Sequence, residues 1–281
     1  MREIQASKIA SVVAELLIKA NYYLSEDVLS LISQAASKEE SPEGRDILSN
    51  ILKNAQISSQ GQYPLCQDCG TAVIFIELGQ EVHIVGGDLT AAINSGVKHA
   101  YQEGYLRKSQ VSQPFSARIN TQDNTPAIIH IEIVPGDQIK IVVITKGGGA
   151  ENMSRLAMLT PAAGREGIID FVVNSISEAG SNPCPPLIVG VGIGGTVETT
   201  MLLAKKALLR PAGKHNPDNE ISQLEADLLK RINNLGIGPM GYGGRTTALA
   251  VHVDTLPSHL ACLPVAVNLN CHSSRRQEAV I

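Results

Sequence analysis

Hydrophobic spacing changes character near Pro64, and that change sets the fold class. Across residues 3–58 the apolar positions Ile9, Val12, Val13, Leu16 and Leu17 recur at intervals of three and four, the mark of an amphipathic helix. Ser25 is placed to cap a second helical segment through Leu29 and Ile32. Ser41-Pro42 opens a third, since proline lacks only an N–H that the first helical turn cannot use. Beyond Pro64 the runs are β-branched: residues 71–78 and 82–85 read as strands, and Asp88 as the cap of a helix reaching Leu106. Residues 127–134 and 139–145, joined by Pro135-Gly136-Asp137-Gln138, predict a hairpin with Ile129, Ile131 and Ile133 on one face. Helices are expected from Met153 and over residues 161–179, the latter closed by Gly180. A buried strand follows at 187–191, then helices at 197–208 and 219–235 and strands at 248–254 and 264–269. The expected fold is mixed α/β (α+β): one domain over residues 1–281, with a helical N-terminal segment (1–58) packed on a mixed-sheet body (59–281).

Composition narrows the function. The 281 residues carry 23 Lys plus Arg against 27 Asp plus Glu, a net charge of −4, with no basic block to grip a phosphate backbone. Aromatics reach 3% with no Trp, so base-stacking platforms are not expected either. Met1-Arg2-Glu3-Ile4-Gln5 opens no apolar signal region, and no run approaches a membrane span, so a cytoplasmic protein without nucleic-acid or membrane partners is expected. Five scattered cysteines point to metal or reactivity before disulfides.

Gly190-Val191-Gly192-Ile193-Gly194-Gly195 satisfies G-x-G-x-x-G after a strand and before a helix, but the acidic residue that should end a second strand is missing: Asp218 lies in a polar loop. Backbone N–H groups offered to an anion, or simply a tight turn, are the two remaining readings. Cys66 and Cys69 form a C-x-x-C that suits neither a zinc knuckle nor a thioredoxin-like pair. Cys184 sits in Asn182-Pro183-Cys184-Pro185-Pro186, where prolines forbid a helix interior or central strand. Cys66 and Cys271 also stand at element ends, whereas Cys262 reads as a buried thiol. Three loop thiols suit a cubane with one open iron, but by spacing alone three unlinked cysteines are the commoner case.

Several blocks carry a resemblance. Cys66-Gln67-Asp68-Cys69-Gly70-Thr71-Ala72, Asn120-Thr121-Gln122-Asp123-Asn124-Thr125-Pro126, Lys146-Gly147-Gly148-Gly149-Ala150-Glu151-Asn152, Cys184-Pro185-Pro186 with the turn at 192–196, and the stretch 264–271 resemble, in order, the signature blocks of class I iron-sulfur fumarases and L(+)-tartrate dehydratases. The resemblance implies a 4Fe-4S hydro-lyase with Cys66, Cys184 and Cys271 as cluster ligands. The family usually has Thr at the position of Cys69. It further implies Asp68 and His259 as catalytic groups, and Gln67, Arg107, Lys146, Gly147, Gly148 and Gly149 at the substrate. The matched blocks are those of the α half, so a smaller β subunit carrying the family's swivelling domain is implied, in an α2β2 assembly. The expected reaction is reversible hydration of fumarate to malate, with L(+)-tartrate dehydration as the alternative and a dinucleotide-binding oxidoreductase as a remote one. His252, on a strand, reads as structural.

Overall fold

The computed structural model describes residues 1–61 and 63–281. In chain order the elements are β1 (Arg2–Gln5), α1 (Ala6–Tyr22), α2 (Glu26–Lys38), α3 (Pro42–Ser59), β2 (Thr71–Gly79), β3 (Val82–Val85), α4 (Leu89–Glu103), β4 (Ile128–Val134) and β5 (Ile139–Lys146). Then come α5 (Gly148–Glu151), β6 (Arg155–Leu159), α6 (Gly164–Ala179), β7 (Leu187–Ile193), α7 (Val197–Ala207), α8 (Asn219–Asn233), β8 (Ala248–Thr255), β9 (Leu263–Asn270) and β10 (Arg276–Val280). They form two compact units: Met1–Leu24, Ala55–Gly148 and Arg275–Ile281 make the first, Ser25–Asn54 and Gly149–Ser274 the second. The mixed α/β class expected from the sequence is what the elements show. Among the described residues no helix is long and apolar enough to cross a membrane.

The first unit rests on a sheet of order β10-β5-β2-β4, with β2 parallel to β4 and antiparallel to β5. β2 takes the interior because Ala72, Val73, Ile74, Phe75 and Ile76 are buried without alternation, as a strand covered on both faces must be. Ile9, Val13 and Leu17 of α1 and Ile93 and Val97 of α4 pack with Ile74, Ile76, Ile141 and Val143 in one core. The α4 cap forms as the sequence predicts, Asp88 accepting from the Ala91 N–H at 2.7 Å.

The predicted hairpin does not form. β4 and β5 flank β2 on opposite sides, and residues 135–138 step over its end. There the N–H groups of Gly79, Gln80 and Glu81 donate to the carbonyls of Gln138, Val134 and Gly136 at 2.9, 2.8 and 3.0 Å. Burial explains the preference: β5 is buried almost throughout, so it gains more beside β2 than beside the half-exposed β4. Three further expectations change. Residues 2–5 begin no helix but pair parallel with β3, burying Ile4. Residues 276–280 add β10 along β5. The segment after Met153, rich in helix formers, is β6, held antiparallel to β9 because ladder pairing overrides weak local propensity.

The second unit carries a sheet of order β6-β9-β7-β8, with β7 and β8 parallel. Val189 and Val191 turn one face of β7 into a core shared with Ile169 and Val172 of α6 and Leu224 and Leu228 of α8. Gly190 and Gly192 turn the other face to α7: a Cβ on them would lie 2.1 Å from the Ala204 carbonyl oxygen and 2.4 Å from that of Thr200. Close helix–strand packing thus accounts for the first two glycines of the G-x-G-x-x-G run. Thr196 and Thr199 close the α7 N-terminus as a reciprocal capping box. Gly190→Ala is expected to cost about 3 kcal/mol or more, lowering Tm by roughly 6 to 12 °C in a thermal melt. Cys262, expected to be buried, is half-exposed and lines a cavity of about 490 Å³ with Arg165, Asp218 and Leu263. Cys262 stands in the turn that leads into β9, its N–H donating to the His259 carbonyl at 2.9 Å, and not inside a helix or strand.

Glu39 stitches distant parts of this unit. Its carboxylate, on a residue only 3% exposed, accepts from the N–H of Arg245 at 2.9 Å and from the N–H and hydroxyl of Thr246 at 2.8 and 2.6 Å. Burial alone would raise its pKa, but the Thr246 hydroxyl and the N–H groups of Arg245, Thr246 and Ser41 outweigh it and hold the group at about 2, below the ordinary 4.5. A depressed carboxylate stabilises the fold above its unfolded pKa and loses that contribution as pH falls toward the folded one. The shift corresponds to about 3 kcal/mol. Urea denaturation should therefore show Glu39→Gln far weaker than wild type at pH 7, with the gap narrowing from pH 4.5 downward.

Candidate active site

In the first unit the Cys66 to Ala72 block is a loop entering β2, and buried groups hold it from several sides. Gly70 has φ +72°, and a Cβ there would lie 2.7 Å from the Lys146 carbonyl, so this approach to β5 requires glycine. The Tyr101 hydroxyl, on a fully buried residue, lies 2.8 Å from the carbonyl oxygens of both Cys69 and Gly70. Burial pushes that phenol's pKa upward, so it remains a donor. Asn124 donates to the Gly70 carbonyl at 3.1 Å and accepts from the Ser109 and Gln110 N–H groups at 2.7 and 3.1 Å. Arg275, 2% exposed, donates through Nη1 to the Asp68 carbonyl. Its Nε has no partner among the described residues.

Asp68 is the best-fixed of the expected site residues. Its Oδ1 accepts from the Gly70 N–H at 3.0 Å and its Oδ2 from the Gly148 N–H at 2.7 Å. The glycine run after Lys146 thus cradles a carboxylate, and the one it holds here is the chain's own. A Cβ on Gly147 would sit 3.2 Å from Asp68 Oδ2 and 3.3 Å from Arg275 Nη2. Lys146 is buried at the end of β5. Gln67 accepts from the Cys66 thiol at 3.2 Å. Arg107 is exposed just after α4, its N–H donating to the Cys69 sulfur at 3.2 Å. Burial raises the Cys69 thiol's pKa more than that N–H and the Arg275 charge lower it, so Cys69 stays a neutral, packed thiol.

In the second unit Cys184 adopts φ +56°. Its carbonyl accepts from the His272 N–H at 3.3 Å, and the His272 ring Nδ1 lies 3.1 Å from the same oxygen. That pair brings the Cys184 loop against the one that follows Cys271. Cys184 and Cys271 are both half-buried, as Cys66 is in the first unit. Gly149 also belongs here, where a Cβ would lie 2.7 Å from the Asn182 carbonyl oxygen. His259 is exposed on the loop between β8 and β9, its Nδ1 accepting from the Ala261 N–H at 3.1 Å. His252 is buried, Nδ1 lying 3.1 Å from the Ala207 carbonyl oxygen. Burial, with Arg210 nearby, holds its pKa down to about 4, which suits a structural role.

Within either unit, among the described residues, no group of three or more His, Cys, Asp or Glu side chains is arranged to hold a metal ion. Sequence reasoning missed Arg275, Tyr101 and His272. Tyr101 looks like any apolar-face helical residue, and an arginine in Ser273-Ser274-Arg275-Arg276 carries no sign of burial. Only the position of His272 directly after Cys271 was a usable signal.

A family model described as fumarate hydratase (Fumerase) matches residues 10–280. A Methanocaldococcus jannaschii protein with the provisional name L(+)-tartrate dehydratase subunit alpha is 42% identical over 274 residues, covering 96% of each chain. An Escherichia coli (strain UTI89 / UPEC) protein named L(+)-tartrate dehydratase subunit alpha is 33% identical over 274 residues, 96% of this chain and 89% of its own. The strain K12 counterpart of that name is 32% identical over the same span. Matched along nearly its whole length by the family model and by these relatives, the chain belongs to the fumarate hydratase family of hydro-lyases.

Proposed function

We propose that the chain is the α subunit of a 4Fe-4S hydro-lyase that reversibly hydrates fumarate to malate. A second reading, dehydration of L(+)-tartrate, is favoured by the names of the relatives. The observation that carries the hydro-lyase chemistry is Asp68. Both its oxygens are engaged by backbone N–H groups, on a loop backed by the buried Arg275. A carboxylate held in one orientation suits transfer of a proton to or from the carbon next to the hydroxyl-bearing one.

Cys66, Cys184 and Cys271 fit a cluster by donor chemistry. They are soft thiols at element ends, half-buried and so open to a ligand, whereas Cys69 is packed away. When bound, the cluster supplies a Lewis-acidic open iron for the hydroxyl that enters or leaves. Arg107, exposed on a backbone fixed through Cys69, suits bidentate capture of a substrate carboxylate. Gln67, Lys146 and Gly147 to Gly149 complete the proposed substrate contacts, and His259 is the second group assigned to proton transfer. A dicarboxylate needs more cationic groups than Arg107 and Lys146 offer. The reading therefore includes a smaller β subunit bearing the remainder, in an α2β2 enzyme of the cytoplasm.

The test is to reconstitute the cluster anaerobically in the purified chain and assay fumarate hydration and tartrate dehydration side by side, with and without the candidate β subunit. Turnover is expected only with both chains. Full activity of the α chain alone would refute the two-subunit reading, and turnover of tartrate but not fumarate would select the second substrate.

A further inference from the structure

Cys66 and Cys69 are the two cysteines of the first unit, and both lie in the loop between α3 and β2. Cys69 is fixed and hidden. It is 1% exposed, its carbonyl accepts from the Tyr101 hydroxyl at 2.8 Å, and its sulfur accepts from the Arg107 N–H at 3.2 Å. The same thiol turns back on Cys66, donating to that residue's carbonyl at 3.6 Å. Two covalent bonds join that oxygen to the Cys66 Cα, so the Cys69 sulfur lies within about 6.4 Å of that Cα. Cys66 is the half-buried member of the pair, on irregular backbone, and its thiol donates to the Gln67 side chain at 3.2 Å. A thiol is a weak donor, so rotation about χ1 breaks that bond at little cost and carries the Cys66 sulfur toward Cys69.

We propose that, in the chain without its cluster, a small-molecule disulfide oxidises Cys66 and Cys69 to an internal disulfide, which keeps Cys66 from ligating iron until it is reduced. Burial orders the two steps. The accessible Cys66 thiolate attacks the small disulfide, forms a mixed disulfide and expels one small thiolate. The Cys69 sulfur then attacks the Cys66 sulfur of that mixed disulfide. The protein S–S bond forms, the second small thiolate leaves, and the Cys69 proton passes to it. Two protein thiols are oxidised and one small-molecule disulfide is reduced to two thiols, so no further reactant is needed. β2 follows the pair, and no helix N-terminus is there to activate a thiolate, so the bond is a protected state and not an exchange catalyst. Its use is chemical: a half-exposed thiol standing alone can be oxidised irreversibly, whereas a thiol beside it diverts the sulfur to a state that reductants restore.

The inference rests on the proposed reading in one respect, that Cys66 is a cluster ligand. No arm of its test measures turnover. The full chain, freed of cluster, is incubated anaerobically with equimolar oxidised glutathione, and its peptides are mapped by mass spectrometry without reduction. Wild type should release two glutathione thiols per chain and show Cys66 joined to Cys69, with no glutathione on either. Cys69→Ser should instead retain glutathione on Cys66, because the resolving thiol is gone. Offered iron and sulfide, the oxidised wild type should assemble no cluster until dithiothreitol has reduced it. Absence of the Cys66–Cys69 bond, a bond from Cys66 to Cys184, Cys262 or Cys271 in its place, or linkage between chains would each overturn the inference and leave the hydro-lyase reading standing. A full complement of iron and sulfide on the disulfide-bonded chain would overturn both the inference and the assignment of Cys66 as a ligand. Should Cys69→Ser fail to fold, the wild-type peptide map decides.

Discussion

Cys184→Ser is expected to abolish both the cluster and the hydro-lyase activity. The anaerobically reconstituted protein should fall from about four irons and four sulfides per chain to background, whereas Cys262→Ser should keep them. The loop gives no room for substitution by another thiol. Cys184 sits at φ +56° between prolines, and its carbonyl is held by His272, so a neighbouring cysteine cannot swing into its place. Serine preserves the shape of the loop, so the thermal melt of the apoprotein should not move. Iron and sulfide retained in full by Cys184→Ser would overturn the ligand assignment.

Asp68→Asn should lower kcat on the order of a hundredfold to ten-thousandfold with little change in KM, the scale of losing a positioned proton-transfer group. An amide is nearly isosteric, but it presents an NH2 where one carboxylate oxygen accepted an N–H from Gly70 or Gly148. One of those bonds must fail, so a small loss of stability should accompany the kinetic effect. The discriminating measurement is the pH–rate profile: a group that moves the proton alters its shape, and one that merely braces the loop lowers it evenly. A normal profile and rate in Asp68→Asn would remove Asp68 from the chemistry.

Local signals in the sequence were legible where one segment decides its own structure. Asp88 caps α4, Gly180 ends α6, and the apolar run at 187–191 lies buried in β7, because each follows from a short stretch and its periodicity. What failed depended on competition between segments. The turn residues at 135–138 favour a hairpin, but they cannot register that β2 offers β5 the better-buried neighbour. Residues 155–159 lose their helical preference only because β9 is there to pair with them. The site divides in the same way. Its signature blocks are readable along the chain, but the partners that stiffen them, Tyr101 and Arg275, arrive from remote positions and carry no local mark.

The placement of Arg275 bears on how the protein is made. Residues 275–281 belong to the first unit, although all of the second is translated before them. Until residues 275–281 have left the ribosome, the sheet lacks its β10 edge and the Asp68 loop has no guanidinium beside it. Vectorial synthesis can complete the second unit early. The first unit must wait for residues 275–281, so a nascent chain stalled just short of them holds the Asp68 loop unbraced.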